Sequence, residues 1–207
     1  MVVEFQRVEK SYGEVRVFGL SPFRDRPAVA ARLNFASAYT SLPSNLTVLE
    51  NLRVFARLYD VADMRRKIDE LIQLFALGDY RRTVAGRLSA GEQMRLSLAK
   101  SMLNNPELLL LDEPTLSLDP YHADEARKLL ARLQRERRMT ILYTSHNMQE
   151  VEALCRRVIF IHRGRLIAAG TPHDIKRQFN SQTLDEVFIQ VAKSGELVAV
   201  EEPDRAG

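Results

Sequence analysis

Four consecutive leucines, Leu108 to Leu111, run directly into Asp112, Glu113 and Pro114. A short apolar run without polar alternation suits a strand buried on both faces, and such burial belongs to parallel sheets covered by helices. The flanks agree. Upstream, Ser89-x-x-Glu92 is a capping box for an amphipathic helix from Gly91 to Asn104. Downstream come a long helix from Pro120 to about Arg137, a strand Thr140 to Thr144, a short helix near Met148 to Leu154 and a strand Val158 to Ile161. This alternation predicts an α/β chain with a parallel sheet.

The region before Leu88 has a different texture. Val2 to Val8 alternates apolar and polar residues and Val15 to Phe18 does so briefly, which predicts short, half-exposed antiparallel strands. After Pro43, the capping box Thr47-x-x-Glu50 opens a helix whose Leu49, Leu52, Phe55 and Leu58 are expected on one face. A second helix, Met64 to about Phe75, carries Ile68, Leu71, Ile72 and Phe75 at helical spacing and is broken at Gly78. Thr171-Pro172 and Thr183-x-x-Glu186 mark two further helix starts, ahead of an acidic ending from Glu201.

With 207 residues, 45% of them apolar and 28% charged, the chain can bury one core and stay in solution, which sets aside disorder, collagen and coiled coil. No segment has the ~18 to 20 continuous apolar residues of a membrane span. The longest uncharged stretch, Leu33 to Leu49, is broken by Ser, Thr, Asn and Pro, and Glu4, Arg7, Glu9 and Lys10 argue against a signal peptide. Cys155 is the single cysteine, so no internal disulfide forms; a reducing compartment and a small core residue are expected. The net charge of +3, with Arg65-Arg66, Arg81-Arg82 and Arg137-Arg138 scattered along the chain, describes solvated helix faces and no nucleic-acid footprint.

Asp112 and Glu113 close the leucine strand at its carboxyl end, where open α/β sheets bind ligands. Two carboxylates there can be no more than a loop start. Their chemistry also suits phosphoryl transfer, one holding Mg²⁺ directly or through water and the next orienting and deprotonating an attacking water. Ser89 and Glu92 likewise read first as a well-capped helix. A helix N-terminus also offers unpaired amides to an anion, and Gly91 lets a phosphate approach the backbone; both readings hold together, because cap and phosphate use the same amides.

Taken together, these residues resemble the nucleotide-binding subunits of ABC transporters. Leu88-Ser89-Ala90-Gly91-Glu92-Gln93 looks like the family signature, with Ala90 where Gly is commoner, and Leu108 to Glu113 looks like Walker B. Ser117-Leu118-Asp119 looks like the D-loop and Thr144-Ser145-His146 like the switch-histidine loop, while Tyr12 in Ser11-Tyr12-Gly13 matches the adenine-stacking aromatic. The motifs fall in family order, and the resemblance covers nearly the whole chain. It implies a P-loop NTPase-like fold with helices on both faces of a parallel sheet. One nucleotide-binding domain is expected, with a small antiparallel β layer over 1–38, a helical subdomain over 47–87, a core over 88–170 and a tail over 171–207. The resemblance further implies ATP and Mg²⁺ as cofactors, Asp112 as metal holder, Glu113 as general base and His146 at the γ-phosphate. Read without it, His146 is an ordinary strand-end histidine. Tyr12 and Asp119 become nucleotide-binding residues, and Ser89, Gly91 and Glu92 close on ATP held by the opposite subunit. A dimer, a membrane permease docked on the helical subdomain, and a peripheral place on the cytoplasmic face of the membrane are implied as well.

One family element has no counterpart. A P-loop needs Gly-x-x-x-x-Gly-Lys-Ser/Thr, and no such string occurs in the 207 residues. Tyr12-Gly13 runs straight into Glu14-Val15-Arg16-Val17, so the unit of strand, loop and helix, roughly 30 residues or more, is absent. Gly13 to Arg16 reads both as the continuation of the first strand and as the start of the strand after that unit, as expected if two copies of a short repeat were misjoined. The family's glutamine before the helical subdomain has no match in Phe35-Ala36-Ser37-Ala38-Tyr39, and Thr183 to Phe188 looks like the ending of ABC-2 exporters. Without the P-loop strand, Thr140 to Thr144 and Val158 to Ile161 are expected to pair directly or to leave buried backbone groups unpaired, at about 1 to 3 kcal/mol each.

The expectation is therefore an ATP-binding subunit of an ABC exporter, coupling ATP binding and hydrolysis to a separate permease. Its own nucleotide site is incomplete, so the chain alone is expected to bind ATP weakly or not at all. The alternative is a non-catalytic regulatory or interaction module that keeps the shape without turnover. A soluble ABC ATPase acting on ribosomes or DNA usually carries paired domains or long coiled coils, and the sequence has neither.

Overall fold

A computed structural model describes residues 3–6, 14–162 and 164–194, which fall into two compact units meeting in the chain at Thr144 and Ser145. The first opens with β1 (Val3–Gln6) and β2 (Glu14–Val17), antiparallel as the alternation predicts, with Val3 opposite Val17. Next come α1 (Arg26–Arg32) and β3 (Leu33–Ser37), neither legible in the sequence, which from Leu33 onward reads only as uncharged. Helices α2 (Val48–Leu58), α3 (Met64–Leu74) and α4 (Ala90–Ser101) lead to β4 (Leu108–Asp112), then α5 (Pro120–Arg137) and β5 (Thr140–Thr144).

The sheet runs β3-β4-β5, all parallel, in a register that aligns Leu33, Leu108 and Thr140 at one end and Ser37, Asp112 and Thr144 at the other. The leucine strand is central, as expected, with Leu108, Leu109 and Leu111 all buried. Its Leu109 and Leu111, with Ala36 of β3, share one core with Leu52 of α2, Leu71 of α3, Leu96 of α4 and Leu130 of α5. One expectation fails here. Leu58 is 70% exposed, whereas the buried stripe of α2 is Val48, Asn51, Leu52 and Ala56. Each three-residue step from Leu49 falls about 60° short of a full turn, so by Leu58 the series has rotated off the buried face. Buried Asn51 donates from Nδ2 to the carbonyls of Pro43, Leu46 and Thr47, which pins the preceding loop to α2, while its buried Oδ1 has no hydrogen-bond partner among the described residues.

The second unit contains α6 (Met148–Leu154), β6 (Val158–His162), β7 (Arg165–Gly170), α7 (Pro172–Gln178) and α8 (Leu184–Ser194). Alternation predicted a parallel strand over Val158 to Ile161; instead β6 pairs antiparallel with β7, through a turn in which Gly164 takes φ +76°. Only glycine adopts that conformation without cost, so a tight return replaces a crossover helix. Phe160, Ala168, Leu184 and Val187 form the core of this unit. Cys155 packs against that core, half-buried, and burial pushes its thiol pKa up, which suits a packing residue better than a nucleophile. No helix among the described residues is long and apolar enough to cross a membrane.

Candidate functional site

Because the parallel strands end level, three polar residues stand side by side at their carboxyl ends. Ser37 Oγ donates to Asp112 Oδ2 at 3.0 Å and Thr144 Oγ1 donates to Asp112 Oδ1 at 2.7 Å, so both carboxylate oxygens already accept hydroxyl protons. Sequence reading singled out Asp112 and the Thr144 loop but missed Ser37. Its only signal would have been recognising β3 as a strand in register with β4. Glu113, half-buried, follows at φ +49°, a left-handed conformation that costs a residue with a Cβ about 1–2 kcal/mol. Its N–H donates to the Thr144 carbonyl at 3.1 Å and to Thr144 Oγ1 at 3.2 Å, which holds the strained turn in place.

The second cluster lies at the start of α4. The capping box is formed: Ser89 N–H donates to Glu92 Oε2 at 2.8 Å and Glu92 N–H donates to Ser89 Oγ at 3.4 Å. Hydrogen bonds from Tyr80 and then from Ser89 hold the Glu92 carboxyl below its ordinary pKa. Gly91 is buried, and a Cβ there would come within 3.1 Å of His122 Cδ2, so the glycine makes room for that ring. His122 Nδ1 in turn lies 2.5 Å from Asp119 Oδ2, and this bond lowers the Asp119 carboxyl pKa. Asp119 Oδ1 also caps α5, accepting from the N–H groups of Tyr121 and His122. The structure thus joins Ser89, Gly91 and Glu92 to Asp119 through His122, a residue the sequence did not flag.

His146 is exposed and belongs to the second unit, between the Ser145 hydroxyl, which accepts from Asn147 N–H, and the Asn147 side chain that caps α6. Tyr12 lies outside the described residues.

The donor chemistry fits the expected groups only in half. Mg²⁺ is commonly held by one or two carboxylates together with substrate phosphates and waters, and Asp112 between two hydroxyls is an oxygen set of that kind. The phosphates are another matter. The chain contributes the N-terminus of α4, but no glycine-rich loop with its lysine exists in the sequence to cradle them.

A family model described as ABC transporter matches residues 5–116. The chain is 32% identical over 185 residues to the ABC transporter ATP-binding protein NatA of Bacillus subtilis (strain 168), covering 88% of this chain and 75% of that protein. It is 32% identical to the bacitracin transport ATP-binding protein BcrA of Bacillus licheniformis, over 86% of this chain and 58% of BcrA. It is 31% identical to the daunorubicin resistance ATP-binding protein DrrA3 of Streptomyces coeruleorubidus, over 91% of this chain and 60% of DrrA3. The chain therefore spans less than two thirds of the length of the last two relatives. A solved structure described as the ATP-binding subunit of an ABC transporter superposes with TM-score 0.76 at 27% identity, covering 88% of this chain and 78% of that one.

Proposed function

The chain belongs to the ABC transporter family, and from that premise we propose that it is the ATP-binding subunit of an ABC-2 exporter whose own nucleotide site lacks its phosphate-gripping half. The observation that carries this reading is the strand-end arrangement in which Asp112 and strained Glu113 stand beside Thr144. Asp112 holds Mg²⁺, and Glu113 orients and deprotonates water. His146 and Asp119 contact nucleotide, as does Tyr12. Ser89, Gly91 and Glu92 serve ATP bound by a second, P-loop-bearing subunit, because a capped helix start presents amides to an anion without needing a P-loop of its own. The partners are that subunit and a membrane permease docked on α2 and α3, at the cytoplasmic face. One relative is named for bacitracin transport and another for daunorubicin resistance, which supports a role in transport.

The test is direct. The purified chain should show no saturable binding of a fluorescent ATP analogue in the micromolar range, and micromolar affinity would sink the half-site reading. Paired with a P-loop-bearing ABC subunit it should support ATP hydrolysis, which Ser89→Arg should abolish.

A second reading has its own support. Both oxygens of Asp112 are occupied by hydroxyls of neighbouring strands, as suits a clamp on the strand ends in a non-catalytic module. Glu113→Gln separates the two: a complex that keeps its full activity is using this chain as a module, whereas a large loss assigns Glu113 to catalysis.

A further inference from the structure

Within the first unit, a cavity of ≈ 320 Å³ lies between the segment after β3, the middle of α4 and the loop after β4. It falls in the range of about 300–1,000 Å³ typical of small-molecule sites. Leu42, Met94 and Leu98 supply apolar wall, while Thr40, Ser97 and Gln93 supply hydroxyl and amide groups. Gln93 is steadied by donating from Nε2 to the Leu88 carbonyl at 3.0 Å. Among the described residues, the walls of the cavity include no Lys, Arg, His, Asp or Glu side chain.

That lining decides the ligand class. A phosphate or carboxylate entering these walls would lose water and meet no cationic side chain, only the partial charge of the α4 start at Ala90 on one edge, and an ammonium would meet no carboxylate. A neutral molecule with an apolar body and one or two hydrogen-bonding groups loses little and fills the cavity. We propose that this cavity is a binding site for a small neutral amphiphile, adjoining the strand-end site, since Ser37, which donates to Asp112, is one of its walls. The wall residues belong to three segments of the fold at once: Ala38 and Thr40 after β3, Ala90 and Ser97 on α4, and Ser117 in the loop after β4. An occupant therefore braces the α4 start against the strand ends.

Indole serves as the neutral probe, with indole-3-acetate and tryptamine as its anionic and cationic counterparts, titrated into the full chain and followed by protein NMR shifts. Indole should bind saturably, and each charged counterpart at least tenfold more weakly. Ser97→Phe, which fills the cavity, and Ala38→Leu, which narrows its exposed mouth, should each weaken indole at least tenfold in protein that keeps its circular dichroism. If Ser97→Phe does not fold, Ala38→Leu decides alone. The proposal fails if indole does not saturate, if either charged probe binds as tightly, or if the folded variants bind like the parent.

Discussion

The same three strands present two unlike faces. On one, Ala36, Leu109 and Leu111 are 4%, 0% and 1% exposed, in a core shared with α2, α3, α4 and α5. On the other, Phe35 and Leu142 are 46% and 42% exposed, and the strand starts Leu33 and Leu108 gather with Val17 and Val29 in a small cluster. Parallel sheets are ordinarily clothed on both faces. The contrast teaches that one well-packed face is enough to hold the strand order, while register is fixed less by β4, whose four leucines would survive a slip of one residue, than by β3, where a slip would exchange buried Asn34 and Ala36 for exposed Phe35. It also places exposed apolar surface in a chain whose sequence has no P-loop string.

The comparison can be broken most decisively by truncation. Leu109→Ala should cost about 2–5 kcal/mol in urea unfolding, the toll of a cavity in a packed core, while Leu142→Ala should cost under about 1 kcal/mol; equal losses would mean that both faces are packed in solution. The next largest effect concerns Lys100, the cation on α4 buried at 6% exposure, which donates to the Phe35 carbonyl at 2.9 Å. Burial lowers its pKa from 10.5 to about 8. Between those values the unfolded chain binds the proton and the folded chain does not, so stability should rise with pH across the window, by roughly 3 kcal/mol. The full cost is present below the lower value. Lys100→Met should remove this rise, and a parent whose urea midpoint gains nothing over the variant between pH 8 and about 10.5 would contradict the burial. The smallest effect sharpens the comparison at the turn from the helix side into β5. Arg138 ends α5 at φ +50°, so Arg138→Gly should stabilise by roughly 0.5–1 kcal/mol, read as a higher Tm.

What the sequence made legible was local. The capping boxes at Thr47 and Ser89 stand in the structure with the bonds their spacing requires, and the unbroken leucines became a central strand. Boundaries of α5 and β5 agree with the reading residue for residue, because Asp119-Pro120 starts a helix by its own geometry. Strand β3 escaped notice because Leu33–Ser37 mixes buried Asn34 with exposed Phe35, and its place depends on pairing with β4, far along the chain. The same distance hid the Ser37–Asp112 bond and the packing of His122 on Gly91. Pairing of β6 with β7 was missed because an apolar run does not state the direction of its partner.

By itself the sequence determined the order of motifs, and with it the family resemblance and the missing P-loop, because both are properties of covalent order that folding leaves unchanged. Tertiary structure decided which residues the motifs keep company with. Register brought Ser37 and Thr144 onto Asp112, helix packing set His122 against Gly91, and the same packing left an uncharged cavity beside α4. Contacts of that kind depend on strand pairing and side-chain volume across tens of residues, and no local pattern encodes them.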